Sequence, residues 1–318
     1  MSKPYIIGID GGGSKTEAAS TEINGKLIKR HTTGSININM VGEEIAITNL
    51  LSCIEAVKMN DKAEICIIGA AGMENEKNRR RILDAVNGKY AKRTILVSDA
   101  KISYKTIGYK DNGIILICGT GSIAYTEING TTVRAGGWGY IVGDEGSGFW
   151  IARKAINNML KAYDEGMEET PLTKIIMKYY NITKPPQIIE KIYGEPRRIC
   201  EIAKLAERIA EACEEGDGEA EEIIVEAGME LAKLAKKIIK RTMMKKGEVY
   251  CFGGLFKTSK KILKIIEREI KEEYPEIEVL KCKFRGIAGA IIMGMESMGI
   301  KISDEIILNL EEWAGEEG

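Results

Sequence analysis

One histidine, His31, stands among 318 residues, and that scarcity sets the first limit on the chemistry. Acid–base work by imidazole would have to fall on a single side chain in a strand-like stretch, so carboxylates are the expected proton carriers. Seven cysteines (Cys53, Cys66, Cys118, Cys200, Cys213, Cys251 and Cys282) are scattered singly, without a C-x-x-C pair. That spacing argues against structural zinc or iron–sulfur ligation and for buried reduced thiols. A formal net charge of −1 leaves no basic footprint for nucleic acid and no polybasic segment for a membrane surface. No apolar run approaches a membrane span, and the N-terminus enters "PYIIGID" without a charged leader, so a cytoplasmic protein is expected. With 44% apolar and 29% charged residues the composition is globular, and the length exceeds what one core usually serves. Two lobes are expected.

What the chain does have is glycine, and it is placed. The stretch "GIDGGGSKTEA" at 8–18 looks like a phosphate loop, yet it fits neither familiar nucleotide pattern. Ser14 stands where a P-loop needs its lysine, and Thr16 stands where the dinucleotide fingerprint needs its third glycine. Both patterns also need a helix to start at the loop. Here alternating polar and apolar residues run on to Asn24-Gly25, a hairpin signal, and then to a second strand-like run. The loop joins two strands. A second copy follows: "IIGIDGGGSKT" at 6–16 is matched by "IILICGTGSIA" at 114–124, and "TEING" recurs at 21–25 and 126–130. Two related lobes, each opening with strand, glycine turn and strand, are the simplest reading.

Helical periodicity covers about 43–58 and 75–88, with "AEICIIGAAG" and "RTILVSD" as buried strands between and after them. A long helical tract over about 147–243 is interrupted at Pro171, Pro185-Pro186 and Pro196. Then come the strand of "GEVYCFGGLFKT", an amphipathic helix at 258–272, a strand near 277–282, and a helix from about 286. The segment 303–318 reads as an exposed terminal helix. Alternating β and α elements imply α/β architecture with a parallel-containing sheet in each lobe.

Glycine turns of this kind can offer backbone N–H groups to a polyphosphate, with Ser14, Lys15, Thr16, Thr120 and Ser122 as further donors. Asp10 ends a buried strand beside the first turn, where an unpaired carboxylate would be costly, so it wants a lysine or a hydrated Mg²⁺. Asp99 ends another apolar strand. Strand-end aspartates of parallel strands mark the carboxyl edge, where open α/β sheets bind ligands, although either could simply cap a helix.

These residues resemble the sugar kinase–Hsp70–actin fold. Within it they are similar to the N-acetylglucosamine kinase group of the BadF/BadG/BcrA/BcrD ATPase family, which also holds benzoyl-CoA reductase activators. The carriers are "GIDGGGSKT", "VSDA", "ICGTGS", "CFGGLFK" and above all "GGWGYIVGDEGSGFWIARKAI" at 136–156, in order along the whole chain. The resemblance implies a two-lobed actin-like (ribonuclease-H-like) ATPase fold of duplicated βββαβα lobes. The first lobe would cover 1–109, joined by a C-terminal helix at 297–318, and the second 110–296 with a helical insertion. It also implies an ATP- and Mg-dependent transferase that phosphorylates the 6-hydroxyl of N-acetylglucosamine, glucosamine or glucose in carbohydrate metabolism. Asp99 would be the general base, and Asp10 would hold Mg²⁺ through water. Gly12, Gly13, Ser14, Lys15 and Thr16 would form the first phosphate loop, Gly119, Thr120 and Gly121 the second, and Gly253 and Gly254 the adenosine loop. Asn37, Ala71, Gly72, Gly137, Trp138 and Asp144 would join Asp99 on the sugar side, and a homodimer would be in keeping with relatives.

The residues support parts of this directly. Sugar recognition uses carboxylates, amides and an aromatic surface, and the stretch at 136–156 supplies a carboxylate and aromatics; Trp150 reads instead as core and Ser147 as a helix cap. The departures are Ala70 and Ala71 in place of polar side chains near the expected N-acetyl position, and a missing proline before "FRGIAGAIIMGM". An activator-type ATPase driving a partner protein is the alternative, but it would need paired cysteines that this sequence lacks.

Overall fold

The structure is a computed structural model that describes residues 3–73, 75–107, 113–194 and 199–315. Two compact units emerge, one formed by Met1–Asp111 with Cys282–Gly318 and the other by Asn112–Lys281. The boundary expected at 109/110 lies outside the described residues, as does the interruption at Pro196. Residues 282–296, expected in the second lobe, belong to the first unit.

The first unit opens with β1 (Tyr5–Gly11), β2 (Lys15–Glu22) and β3 (Leu27–Gly34), an antiparallel meander. After α1 (Ile38–Val41) and α2 (Glu43–Val57), β4 (Ala63–Ala70) pairs parallel to β1. Then α3 (Glu76–Val86) leads to β5 (Ala91–Ser98), parallel to β4, and to α4 (Asp99–Lys105). The sheet order is β3-β2-β1-β4-β5.

The second unit repeats the plan with β6 (Gly113–Cys118), β7 (Ser122–Ile128) and β8 (Thr131–Gly136) as its meander. The helical insertion follows: α5 (Gly148–Asp164), α6 (Pro171–Tyr180), α7 (Ile188–Tyr193), α8 (Ile199–Glu214) and α9 (Gly218–Thr242). Pro171 does not merely interrupt; it is the first residue of α6, where its missing N–H costs nothing, behind the Thr170 cap. β9 (Gly247–Phe252), α10 (Leu255–Thr258), α11 (Lys260–Glu273) and β10 (Ile277–Lys281) complete a sheet of order β10-β9-β6-β7-β8. Strand for strand, this is the order of the first sheet, as the internal repeat implies. The chain then returns to the first unit as α12 (Gly286–Ser297) and α13 (Asp304–Ala314).

The repeated "TEING" makes two different turns. Asn129 and Gly130 both have positive φ (50° and 76°), the left-handed pair of a tight hairpin, whereas at Asn24-Gly25 only Gly25 does, at 88°. A register shift in β2 between Ser20 and Thr21 accompanies the second form.

Alternation along β1 sorts the core of the first unit. Tyr5, Ile7 and Ile9 face one way, into a cluster with Leu50, Ile54 and Ile82 of α2 and α3. Ile6 faces the other way, towards Ile102 of α4 and Ile287, Ile291 and Met295 of α12. Gly8 lies on that second face too, where a Cβ would meet Ile291 at 2.8 Å, so α12 rests directly on the strand. This packing ties 286–297 to the first unit. The terminal segment also departs from expectation: α13 buries Ile306, Leu310 and Ala314. The Trp313 indole N–H donates to Gly25 O at 3.0 Å, and Asn309 Nδ2 to Asn24 O at 2.8 Å. Among the described residues no helix is long and apolar enough to cross a membrane.

Candidate active site

In the first unit the parallel register brings the two strand-end aspartates into one neighbourhood. Asp10 of β1 is level with Gly69 of β4 and Val97 of β5, and the next row is Gly11, Ala70 and Ser98. Asp99 follows at once. With two strand spacings between β1 and β5, the aspartates stand on the order of 10 Å apart, with β4 and its Gly69 between them. Gly69 is required there, because a Cβ would lie 2.3 Å from Ile102 of α4. Ser98 caps α4 by accepting from Lys101 N–H, and the Asp99 carboxylate accepts from Ala100 N–H at 2.8 Å.

Asp10 lies against the start of α12: a Cβ on Gly286 would sit 2.4 Å from its Oδ2. Burial pushes the Asp10 carboxyl from 3.8 up to about 7, with Asp99 and Glu17 adding repulsion and Lys15 and Arg285 opposing it. Glu17 is itself buried between two arginines, Arg285 Nη1 and Arg30 Nε both 2.6 Å from its Oε1. Arg285 also donates to Trp313 O, and its own N–H to Ala314 O, so the start of α12 is fixed to the end of α13.

The first glycine turn is closed by Gly12 N–H donating to Lys15 O at 3.0 Å, leaving Ser14 and Lys15 exposed. Thr16 differs from its turn neighbours. Its side chain is fully buried, with no hydrogen-bond partner for Oγ1 among the described residues, so only its backbone faces the turn. Beside the turn, Ser35 Oγ donates to Gly12 O and accepts from Asn37 N–H, and Ala71 N–H donates to Gly11 O. A Cβ on Gly72 would meet Asn37 Oδ1 at 2.7 Å and Asn39 Nδ2 at 2.9 Å. Asn37, Ala71 and Gly72 thus gather at the edge that carries Asp10, and Asn39, held by Asn78 Nδ2 at 2.9 Å, joins them.

In the second unit Gly119 N–H donates to Gly121 O, closing the second glycine turn, and Gly148 N–H at the head of α5 donates to Gly119 O at 2.9 Å. Asp144 comes to this turn. It is buried, in a left-handed conformation (φ 59°), and a Cβ on Gly121 would lie 2.4 Å from its Oδ2. Burial raises its carboxyl, while N–H groups of Gly139 and Ser122 pull it down. Gly137 donates its N–H to Ser122 O, and Trp138 is exposed with the Arg134 guanidinium 4.1 Å over its ring. Gly137, Trp138 and Asp144 therefore belong to the second unit, whereas Asn37, Ala71, Gly72 and Asp99 belong to the first. Gly253 (φ 128°) is pressed on β6, where a Cβ would be 1.9 Å from Cys118 O, and Gly254 follows it at the head of α10. Trp150 packs on the core and Ser147 caps α5 through Trp150 N–H.

Glu17, Arg285 and Gly286 were not singled out from the sequence. The sequence of β2, KTEAASTE, gives no sign that Glu17 is the charge it buries, although a buried carboxylate needs a partner. Nothing local pointed to Arg285 as that partner.

A family model described as the BadF/BadG/BcrA/BcrD ATPase family matches residues 7–294. The chain belongs to that family. Among curated relatives it is 33% identical to an N-acetylmuramic acid/N-acetylglucosamine kinase of Clostridium acetobutylicum, over 91% of this chain and 97% of the relative. It is 30% identical to an N-acetyl-D-glucosamine kinase of Dictyostelium discoideum, over 93% and 99%. The fold is that of a Chromobacterium violaceum protein classed provisionally as an N-acetylglucosamine kinase, with TM-score 0.75 at 22% identity, covering 92% of this chain and 99% of that one. It is also that of a ROK family glucokinase from Streptomyces griseus solved with glucose and AMPPNP, with TM-score 0.61 at 16% identity, covering 91% and 97%. This family member thus has the two lobes that the glycine repeat implied and the actin-like fold that the resemblance implied.

Proposed function

We propose that this protein is an ATP-dependent sugar kinase that phosphorylates the 6-hydroxyl of an amino sugar, with N-acetylglucosamine first among the candidates. The observation that carries the reading is the pair Asp10 and Asp99, brought to one edge of one sheet by the parallel register of β1, β4 and β5. The activities named for the relatives that match over nine-tenths of the chain favour the same reading.

Phosphoryl transfer asks for positioning and charge neutralisation more than for covalent chemistry. Asp99 takes the proton of the sugar hydroxyl as its oxygen attacks the terminal phosphorus, and ADP leaves on the opposite side. Asn37 hydrogen-bonds the sugar beside it. In each unit the backbone N–H groups of the glycine turn meet phosphate oxygens, and Gly253 and Gly254 accommodate the adenosine. The chain's carboxylates fit Mg²⁺. Asp10, half-buried and raised to about 7, gains from a cation, and no cluster of three or more metal-ligating side chains occurs among the described residues. That suits an ion held by one carboxylate, water and phosphates. When bound, Mg²⁺ neutralises phosphate charge, and Asp10 is the residue that would hold it.

The test is coupled ADP release with N-acetylglucosamine, N-acetylmuramic acid, glucosamine, glucose and no sugar, with Asp99→Asn in parallel. Sugar-dependent release that falls by roughly 10²–10⁴-fold in Asp99→Asn, with ADP binding kept, is expected. Sugar-independent hydrolysis, or full activity in the variant, would overturn the proposal.

A further inference from the structure

We propose that Glu207, on α8, accepts hydrogen bonds from the ribose hydroxyls of the bound nucleotide. The inference rests on the nucleotide-binding reading above and lies wholly within the second unit. Its basis is a closed chain of contacts around the second glycine turn. Gly148 docks its N–H on Gly119 O, and a Cβ on Gly148 would be 2.9 Å from Gly119 O and 3.1 Å from Ala203 O, so α8 passes directly beside the turn. Residues four apart share a helix face, so Glu207 lies one turn beyond Ala203 on the same side. There the Glu207 carboxylate closes the chain: among the described residues, its Oε1 is the neighbour found within 4 Å of a Cβ on Gly254, at 3.6 Å. Gly253, next door, is pressed on Cys118 O, one residue before the turn itself.

A nucleotide with phosphates on Gly119–Gly121 and its adenosine at Gly253-Gly254 therefore meets Glu207 in between. The chemistry selects which part of it does so. A carboxylate repels phosphate, so the neutral, hydroxyl-bearing segment settles against it. The vicinal diol of ribose presents two O–H donors, and a carboxylate is an acceptor only, with a lone pair free for each. Gly254 keeps the surface beneath the sugar clear, and Glu207 is exposed enough to be reached without rearrangement.

The experiment is calorimetric titration of ADP and of 2′,3′-dideoxy-ADP into the wild type, Glu207→Ala and Glu207→Gln. A charge-assisted hydrogen bond is worth roughly ten-fold or more in affinity. The wild type should therefore prefer ADP by about that factor. Glu207→Ala should lose the preference by weakening ADP alone, and Glu207→Gln should keep part of it. Equal weakening of both ligands, or of neither, would overturn the assignment. A wild type that binds ADP and the dideoxy analogue equally would overturn only this proposal, whereas one that binds neither would overturn the ATP-dependent reading as well.

Discussion

Replacing Asp10 by Asn should stabilise the empty protein, and increasingly so as pH rises. Asp10 ionises near 3.8 in an unfolded chain and at about 7 in the folded one, because it is largely desolvated beside Asp99 and Glu17 at the head of α12. The native state therefore holds the proton longer, and stability falls as pH climbs from about 4 to about 7. At about 1.4 kcal/mol per pH unit, the full interval corresponds to about 4 kcal/mol. Asp10 keeps an open edge to solvent, and screening there brings the expected penalty to about 2 kcal/mol above pH 7. Asparagine keeps the shape and discards the charge. Thermal melts without nucleotide or divalent ion, from pH 4.5 to 8.5, should show the two proteins close together at the acid end. Above pH 7 the variant should melt higher by roughly 4–8 °C. A separation that stays constant across the range would refute the idea that ionised Asp10 is a stored cost. The same substitution should abolish sugar phosphorylation, so the residue would trade stability for function.

Two other substitutions test the frame around the site. Glu17→Gln leaves Arg285 and Arg30 facing each other without their shared counter-charge, which should cost about 2–3 kcal/mol in urea denaturation; an unchanged midpoint would mean that solvent already screens the cluster. Gly253→Ala combines a φ of 128° with a Cβ 1.9 Å from Cys118 O, so it should lower the melting temperature and abolish ADP binding; wild-type titrations would contradict the close approach of the β9–α10 turn to β6.

Much of this was legible in the sequence because it is written locally. A glycine turn between a buried run and an alternating run reads as a hairpin, so both turns, the repeat and the strand-end positions of Asp10 and Asp99 follow from short stretches. The placing of Asn37 and Gly72 beside the first turn depends on the Ser35 and Ala71 hydrogen bonds, which no spacing reveals. Long-range packing was hidden for the same reason. The glycines of "RGIAGAIIMG" read as close helix packing, yet only the fold shows that Gly286 admits the Asp10 carboxylate and that Gly289 comes so near α4 that a Cβ would lie 1.8 Å from Ile102 O. The terminal helix, polar enough to read as exposed, hides its contacts in three residues of its inner stripe.

The return of the chain to the first unit carries a consequence for synthesis. The second unit is one continuous stretch, Asn112–Lys281, with its own sheet and core, so every residue it needs has been made before the last segment appears. The first unit begins earlier and finishes later. Until α12 arrives, the face of its sheet bearing Ile6, Ile65 and Ile67 is covered by α4 alone, through Ile102, and the Gly286 end of α12 is missing from the side of Asp10. On a growing chain, the unit made second is thus the one that can fold first, reversing the usual order from the N-terminus. A chain cut short before Gly286 would then leave a finished second unit tethered to an open, sticky half-sheet, a ready substrate for chaperones and proteases.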